Sequence, residues 1–228
     1  MTFSRPDPTI DPGTAGISFV DILFALVVGQ VLDPLRLWAS DPHAHPLSAP
    51  VMMHLAVTLV VTLASWVGYH ASANRPRFRL MFFNLELVKF MLDIAMVVVY
   101  FLMASYAVRT PLSDRPETML VAVSFGLYLF WDLAGAWEKG GQPNPYKAAW
   151  DEAFNNPNRP DVHEPWVPTS WPRIAATAAA LVATAVICTF TWMAHGAHAA
   201  PSREASITID ALLIAVLIAY RYIKDHLQ

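Results

Sequence analysis

Six apolar stretches, each close to the length that crosses a bilayer, divide this chain: residues 17–38, 51–69, 81–108, 119–137, 173–193 and 207–222. A helix needs about 20 consecutive, mostly apolar residues to span the hydrocarbon layer. Within it every backbone polar group must be paired internally, which leaves helices or closed barrels. Runs this long and continuous are helical. The gaps carry breakers or charge, as in Asp41-Pro42-His43-Ala44-His45-Pro46 and Asn74-Arg75-Pro76-Arg77-Phe78-Arg79. Composition agrees: 55% of the 228 residues are hydrophobic and 14% are charged, where soluble domains carry about 25% charge. A soluble globular enzyme, a disordered chain and a collagen-like fibre are thereby excluded. The expected fold is all-α, a polytopic membrane protein with six transmembrane helices.

The chain then divides into an N-terminal segment 1–16, helices 1–4 over 17–137, a proline-rich loop over 138–172, and helices 5–6 with a C-terminal tail over 173–228. Residues 1–16 hold three prolines and two aspartates and lack the apolar core of a cleavable signal. Six spans put both termini on one side. That side would carry Arg5, Arg75, Arg77, Arg79, Lys139, Lys147, Arg159, Arg173, Arg221 and Lys224, against Arg36, Arg109, Arg115 and Arg203 on the other. The bias of Lys and Arg toward the cytoplasm places both termini there. Short loops and the single cysteine, Cys188, suit a bacterial inner membrane. The 138–172 loop contains seven prolines, leaving room only for a short helix over 146–154. Trp137, Trp150, Trp166 and Trp171 lie in or beside it, as interfacial anchors do.

Ionisable residues inside a membrane are costly and need partners or a water path. Depth sorting on this topology places Asp21, Trp66, His70, Glu86, Lys89, Trp131 and Asp132 toward the cytoplasmic end. It places Asp33, His54 and Asp210 toward the other face and Asp93 near the middle. Glu86, Lys89 and Asp93 share a helix face and can neutralise one another. Asp21 can accept a hydrogen bond from His70 or the Trp66 indole. This polar belt reads as a structural brace, with a proton relay through Asp21, His70 and Asp93 as the alternative. His54 and His70 have no histidine partner at their own depth, so no haem is expected. Nor is any other cofactor or metal: His43, His45, His195 and His198 flank the non-cytoplasmic surface as ordinary loop histidines.

Along the first span, Leu26, Gly29 or Gln30, and Asp33 recur at helical spacing. The stripe suits either a packing seam, with Gln30 bonding across helices, or the wall of a cation path that Leu26 closes by dewetting. Phe19-x-Asp21-x-x-Phe24-Ala25 at its start, and Ser65-Trp66-Val67-Gly68-Tyr69-His70 at the end of the second span, resemble the transmembrane protein 175 family of endolysosomal and prokaryotic potassium channels. The resemblance covers the first two spans; the other four match by hydropathy alone. It implies a homotetrameric cation channel lined by first helices. Leu26 would be the constriction, Gly29, Gln30 and Asp33 would line the pore, and Asp21, Trp66 and His70 would brace the first two helices. Val20 stands where the family has serine, and Ala25 and Gly29 stand where some members carry pore hydroxyls.

The leading expectation is therefore an oligomeric channel for a monovalent cation, potassium or proton, embedded in lipid. The alternatives are a proton channel or proton-coupled transporter using the intramembrane acids Asp93 and Asp132, and a non-conducting scaffold acting through the 138–172 loop. No Ser-His-Asp set, phosphate loop or H-E-x-x-H motif points to an enzyme, and the formal charge of −3 gives no sign of a nucleic-acid partner.

Overall fold

The computed structural model of the protein describes residues 12–73, 85–109, 113–141, 170–194 and 202–226. These form six helices: α1 Pro12–Ser40, α2 Ala49–Ala73, α3 Leu85–Ala107, α4 Asp114–Gly141, α5 Ser170–Ala194 and α6 Arg203–His226. All six contain a segment long and apolar enough to cross a membrane, and no strand occurs among the described residues. The short helix expected over 146–154, and His195 and His198, lie outside them.

Each helix except α3 runs beyond its apolar stretch, and serine caps open two of them. The Ser48 hydroxyl accepts the Val51 amide at 3.4 Å, and Ser202 accepts the Ala205 amide at 3.2 Å, as N-cap serines do. Pro50 and Pro116 lie in first turns, where proline forfeits no helical hydrogen bond. The entry Gly13–Gly16 is helical and continuous with α1; Pro12, with φ preset for a helix, opens it.

α4 packs along α5, α3 along α4, α2 along α6, and α6 on α5, while α1 lies against α2 and α3. Successive helices alternate in direction. Phe19 and Phe90, near the starts of α1 and α3, approach with ring centroids 6.4 Å apart, and Asp21 meets His70 near the end of α2. The starts of α2, α4 and α6 gather at the opposite end.

The apolar centre is built from Val57 and Val61 of α2, Met96, Tyr100 and Met103 of α3, Val121 and Phe125 of α4, and Leu213 and Leu217 of α6, with Val20, Phe24 and Val27 of α1 closing one side. Large apolar side chains also point outward, among them Val98, Phe130, Val182, Phe190 and Ile218. Outward apolar residues in all six spans are what a lipid-facing surface requires.

Candidate functional site

Two polar clusters lie inside this apolar bundle, one toward each end. The first forms where α2, α4 and α6 begin. His54 is the sixth residue of α2, and Asp114 and Glu117 stand three apart in the first turn of α4. Ser206 and Asp210 stand four apart in the first two turns of α6. Each pair shares a helix face, and capping fixes where those faces start. Asp114 and Glu117 also sit at a helix N-terminus, which favours negative charge.

All five side chains are buried: His54, Asp114 and Ser206 are 1% exposed, Glu117 3% and Asp210 0%. The imidazole bridges the carboxylates. Its Nδ1 contacts Glu117 Oε2, and its Nε2 lies 3.2 Å from Asp114 Oδ1 and 3.3 Å from Ser206 Oγ. Ser206 donates to Asp114 Oδ1 at 2.6 Å. Asp210 Oδ2 lies 3.9 Å from Nε2, inside ion-pair range and beyond a hydrogen bond. Asp114 Oδ2, Glu117 Oε1 and both Asp210 oxygens receive no bond from a donor group, but the Asp210 and Glu117 carboxyls lie close enough to hydrogen-bond when one of them holds a proton. A doubly protonated imidazole cancels one carboxylate charge of the three. Buried charges are ordinarily paired or coordinate metals, and each unsatisfied buried group costs about 1–3 kcal/mol. The remaining carboxyl groups call for a further cation, either a proton shared between Asp210 and Glu117 or a metal ion.

The second cluster joins the end of α4, the start of α5 and the end of α6. Lys224 Nζ lies 3.1 Å from Asp132 Oδ2 and 3.2 Å from Oδ1, and donates to the Tyr220 hydroxyl at 2.7 Å. Thr177 donates to Asp132 Oδ2 at 2.6 Å. Tyr128 stacks on Tyr220, centroids 6.1 Å apart, and its hydroxyl meets that of Tyr100 at 2.6 Å. A cavity of about 100 Å³ opens beside this cluster, lined by Phe24, Ser65, Asp93, Tyr128, Trp131 and Lys224 among others.

A buried polar face of α2 runs between the two. His54, Thr58, Thr62 and Ser65 are each at most 6% exposed. Thr58 donates to the His54 carbonyl at 2.9 Å and Thr62 to the Thr58 carbonyl at 2.7 Å, leaving both hydroxyl oxygens able to accept. Ser65 bonds to the Tyr100 and Tyr128 phenols. His54 to Ser65 spans about 16 Å along the helix.

The residues singled out in the sequence are distributed as follows. Asp21 accepts from Trp66 Nε1 at 3.0 Å and pairs with His70 Nε2 at 2.8 Å, tying α1 to α2. Leu26 is 60% exposed and Gly29 is also exposed, on the side of α1 turned away from the bundle. Asp33 is exposed with them and pairs with Arg36 at 2.8 Å. Gln30 turns toward α3, donating to Ser105 at 2.8 Å. Lys89 sits 5.7 Å from the centre of the Trp131 ring. Asp93 is buried and feels the Lys89 charge; the Glu86 side chain lies outside the described part.

Three of the charged participants are not foreseen. Asp114 and Glu117 read as loop residues, because the apolar stretch starts only at Met119. Lys224 reads as a surface charge of the C-terminal tail. The helix-start signal of acids and proline in Asp114-Arg115-Pro116-Glu117 marks the first turn of α4 and could have placed the two acids on it. Comparisons with protein-family models, with curated proteins and with solved structures give no match.

Proposed function

We propose that this protein moves a cation across a membrane by a path inside the six-helix bundle, with His54, Asp114, Glu117 and Asp210 as its binding site. One observation carries the reading: three acidic side chains and a histidine are buried together among membrane-length helices, with four of the six carboxyl oxygens receiving no bond from a donor group. Intramembrane acids are expensive unless they serve a substrate or ion path. The polar face of α2 and the cavity beside Asp93 and Lys224 continue that path toward the other end. The Lys and Arg distribution orients the His54 end away from the cytoplasm, with both termini cytoplasmic.

The test is cation flux into liposomes holding the purified protein, with and without a proton ionophore. Asp210→Asn should lower flux at least about tenfold while Leu26→Ala leaves it unchanged, because only Asp210 lies on the internal path. No flux from the parent protein in any cation gradient would end the reading.

A second reading is the oligomeric channel along α1 that the transmembrane protein 175 resemblance implies. Its support is the outward face of Leu26, Gly29 and Asp33 on a helix that packs only on α2 and α3 among the pairings described. Gly29 separates the two. A Cβ built there meets no atom within 4 Å, so in a single bundle Gly29→Ala is expected to be silent for flux and to stabilise α1 by about 0.8–1 kcal/mol. Lost or altered flux in Gly29→Ala, together with a leak in Leu26→Ala, would move the path to an inter-subunit pore.

A further inference from the structure

We infer that the site formed by His54, Glu117 and Asp210 binds a divalent first-row transition-metal ion of the zinc or manganese class, with Asp114 and Ser206 orienting it. The inference rests on the cluster being the cation site proposed above and adds the identity of the cation.

Geometry supplies the first argument. One ligand atom from each of His54, Glu117 and Asp210 can be chosen so that all three lie within 4.8 Å of one another. Nitrogen and oxygen ligands bind zinc at about 2.0–2.2 Å, which sets tetrahedral ligands roughly 3.4 Å apart. Closing the set asks each ligand atom to move inward by under about 1 Å. The three residues come from three different helices, two turns or less from the helix starts, so small rigid adjustments suffice.

Unmet bonding capacity supplies the second. Asp210 is 0% exposed and neither of its oxygens receives a bond from a donor group, and Glu117 Oε1 is in the same position, so the two facing carboxyls can be bridged by a proton or by a metal ion. A divalent ion supplies both the charge and the Lewis acid that these oxygen lone pairs lack, displacing any proton the acids share. Ser206, donating to Asp114 Oδ1 at 2.6 Å, holds Asp114 beside the ring nitrogen in the outer position typical of carboxylates around a metal-bound histidine.

The donor set decides the class. Magnesium and calcium take oxygen ligands, and a buried imidazole nitrogen is a poor partner for them or for potassium. Imidazole with carboxylates suits zinc, manganese, iron or cobalt. On binding, His54 must present a bare ring nitrogen, so a proton held on the ring leaves as the metal arrives.

The experiment is equilibrium binding to the purified full-length protein in detergent, after chelator treatment, using Zn²⁺, Co²⁺ and Mn²⁺, with Mg²⁺ and K⁺ as controls. The expected result is one ion per chain, with affinity in the order Zn²⁺ above Co²⁺ above Mn²⁺, Mg²⁺ far weaker, and a visible ligand-field band with Co²⁺. Asp210→Asn should weaken Zn²⁺ binding by more than about a hundredfold, and Asp114→Asn by about 10–100-fold. Because His54 variants are expected to unfold easily, Asp210→Asn is the deciding variant, checked for folding by its melting curve. Absence of Zn²⁺ and Mn²⁺ binding, Mg²⁺ binding as tight as Zn²⁺, or Zn²⁺ binding that survives Asp210→Asn and Glu117→Gln would each overturn the assignment. Binding is read in detergent and transport in liposomes. Flux of another cation without metal binding sinks this inference alone; binding without flux sinks the transport reading alone.

Discussion

In metal-free buffer, His54→Leu should lower the melting midpoint of the detergent-solubilised protein by about 10 °C, the shift expected of about 3–5 kcal/mol lost from a chain this size. The imidazole touches two of the three buried carboxylates, Glu117 through Nδ1 and Asp114 through Nε2. Leucine matches its bulk but offers no donor, so the loss is electrostatic and not a cavity. Removing one partner of a buried ionic set costs more than the set contributes, since the remaining charge stays desolvated. Adding Glu117→Gln and Asp114→Asn to His54→Leu should therefore recover most of the loss. Differential scanning measurements on the single and triple variants decide it. A fall of only a few degrees, with no recovery in the triple variant, would mean that the carboxylates do not depend on the histidine.

Lys224 and Asp132 predict the second large effect. Lys224 is 9% exposed and Asp132 is 7% exposed, and their 3.1 Å contact is reinforced by Tyr220 and Thr177. Lys224→Met leaves Asp132 buried with Thr177 as its remaining donor; Asp132→Leu leaves Lys224 with Tyr220. Each should cost about 3–5 kcal/mol. The double variant replaces two charges by two apolar side chains of similar reach and should return to within about 1 kcal/mol of the parent. Chemical denaturation of the four proteins gives the coupling energy directly. Additive losses would show that the two charges are stabilised independently. The same double variant asks whether the pair lies on a path: recovered stability with lost flux would place it there.

Much of the architecture is legible from residue patterns alone. Six apolar stretches dictate six long helices because a bilayer imposes one length and one backbone solution. Depth along those helices follows from counting residues, and it already groups Asp21, Trp66 and His70, which the structure joins, and sets His54 and Asp210 together at the other end. Spacing along one helix is less informative about partners. Lys89, Glu86 and Asp93 suggest a closed neutralising set on α3, but in the structure Lys89 also lies near the Trp131 ring of α4.

The sequence by itself determined that the chain holds six helices long and apolar enough to cross a membrane, and at which end Asp21, His54, Asp132 and Asp210 lie. Rotation about each helix axis, and which helix faces which, were decided only by tertiary packing. Membrane helices lack a strong hydrophobic stripe to fix that rotation, since lipid and core are both apolar. That is why Leu26, Gly29 and Asp33, on one stripe, could be read either as a packing seam or as a pore wall; in the bundle they face away from its core. It is also why the four groups of the His54 site, brought from three helices up to 156 positions apart between His54 and Asp210, were visible as separate charges and not as one site. Asp114 and Glu117 were hidden further, because polar first turns extend a helix beyond its apolar stretch, and only the capped, packed helix carries them into the interior.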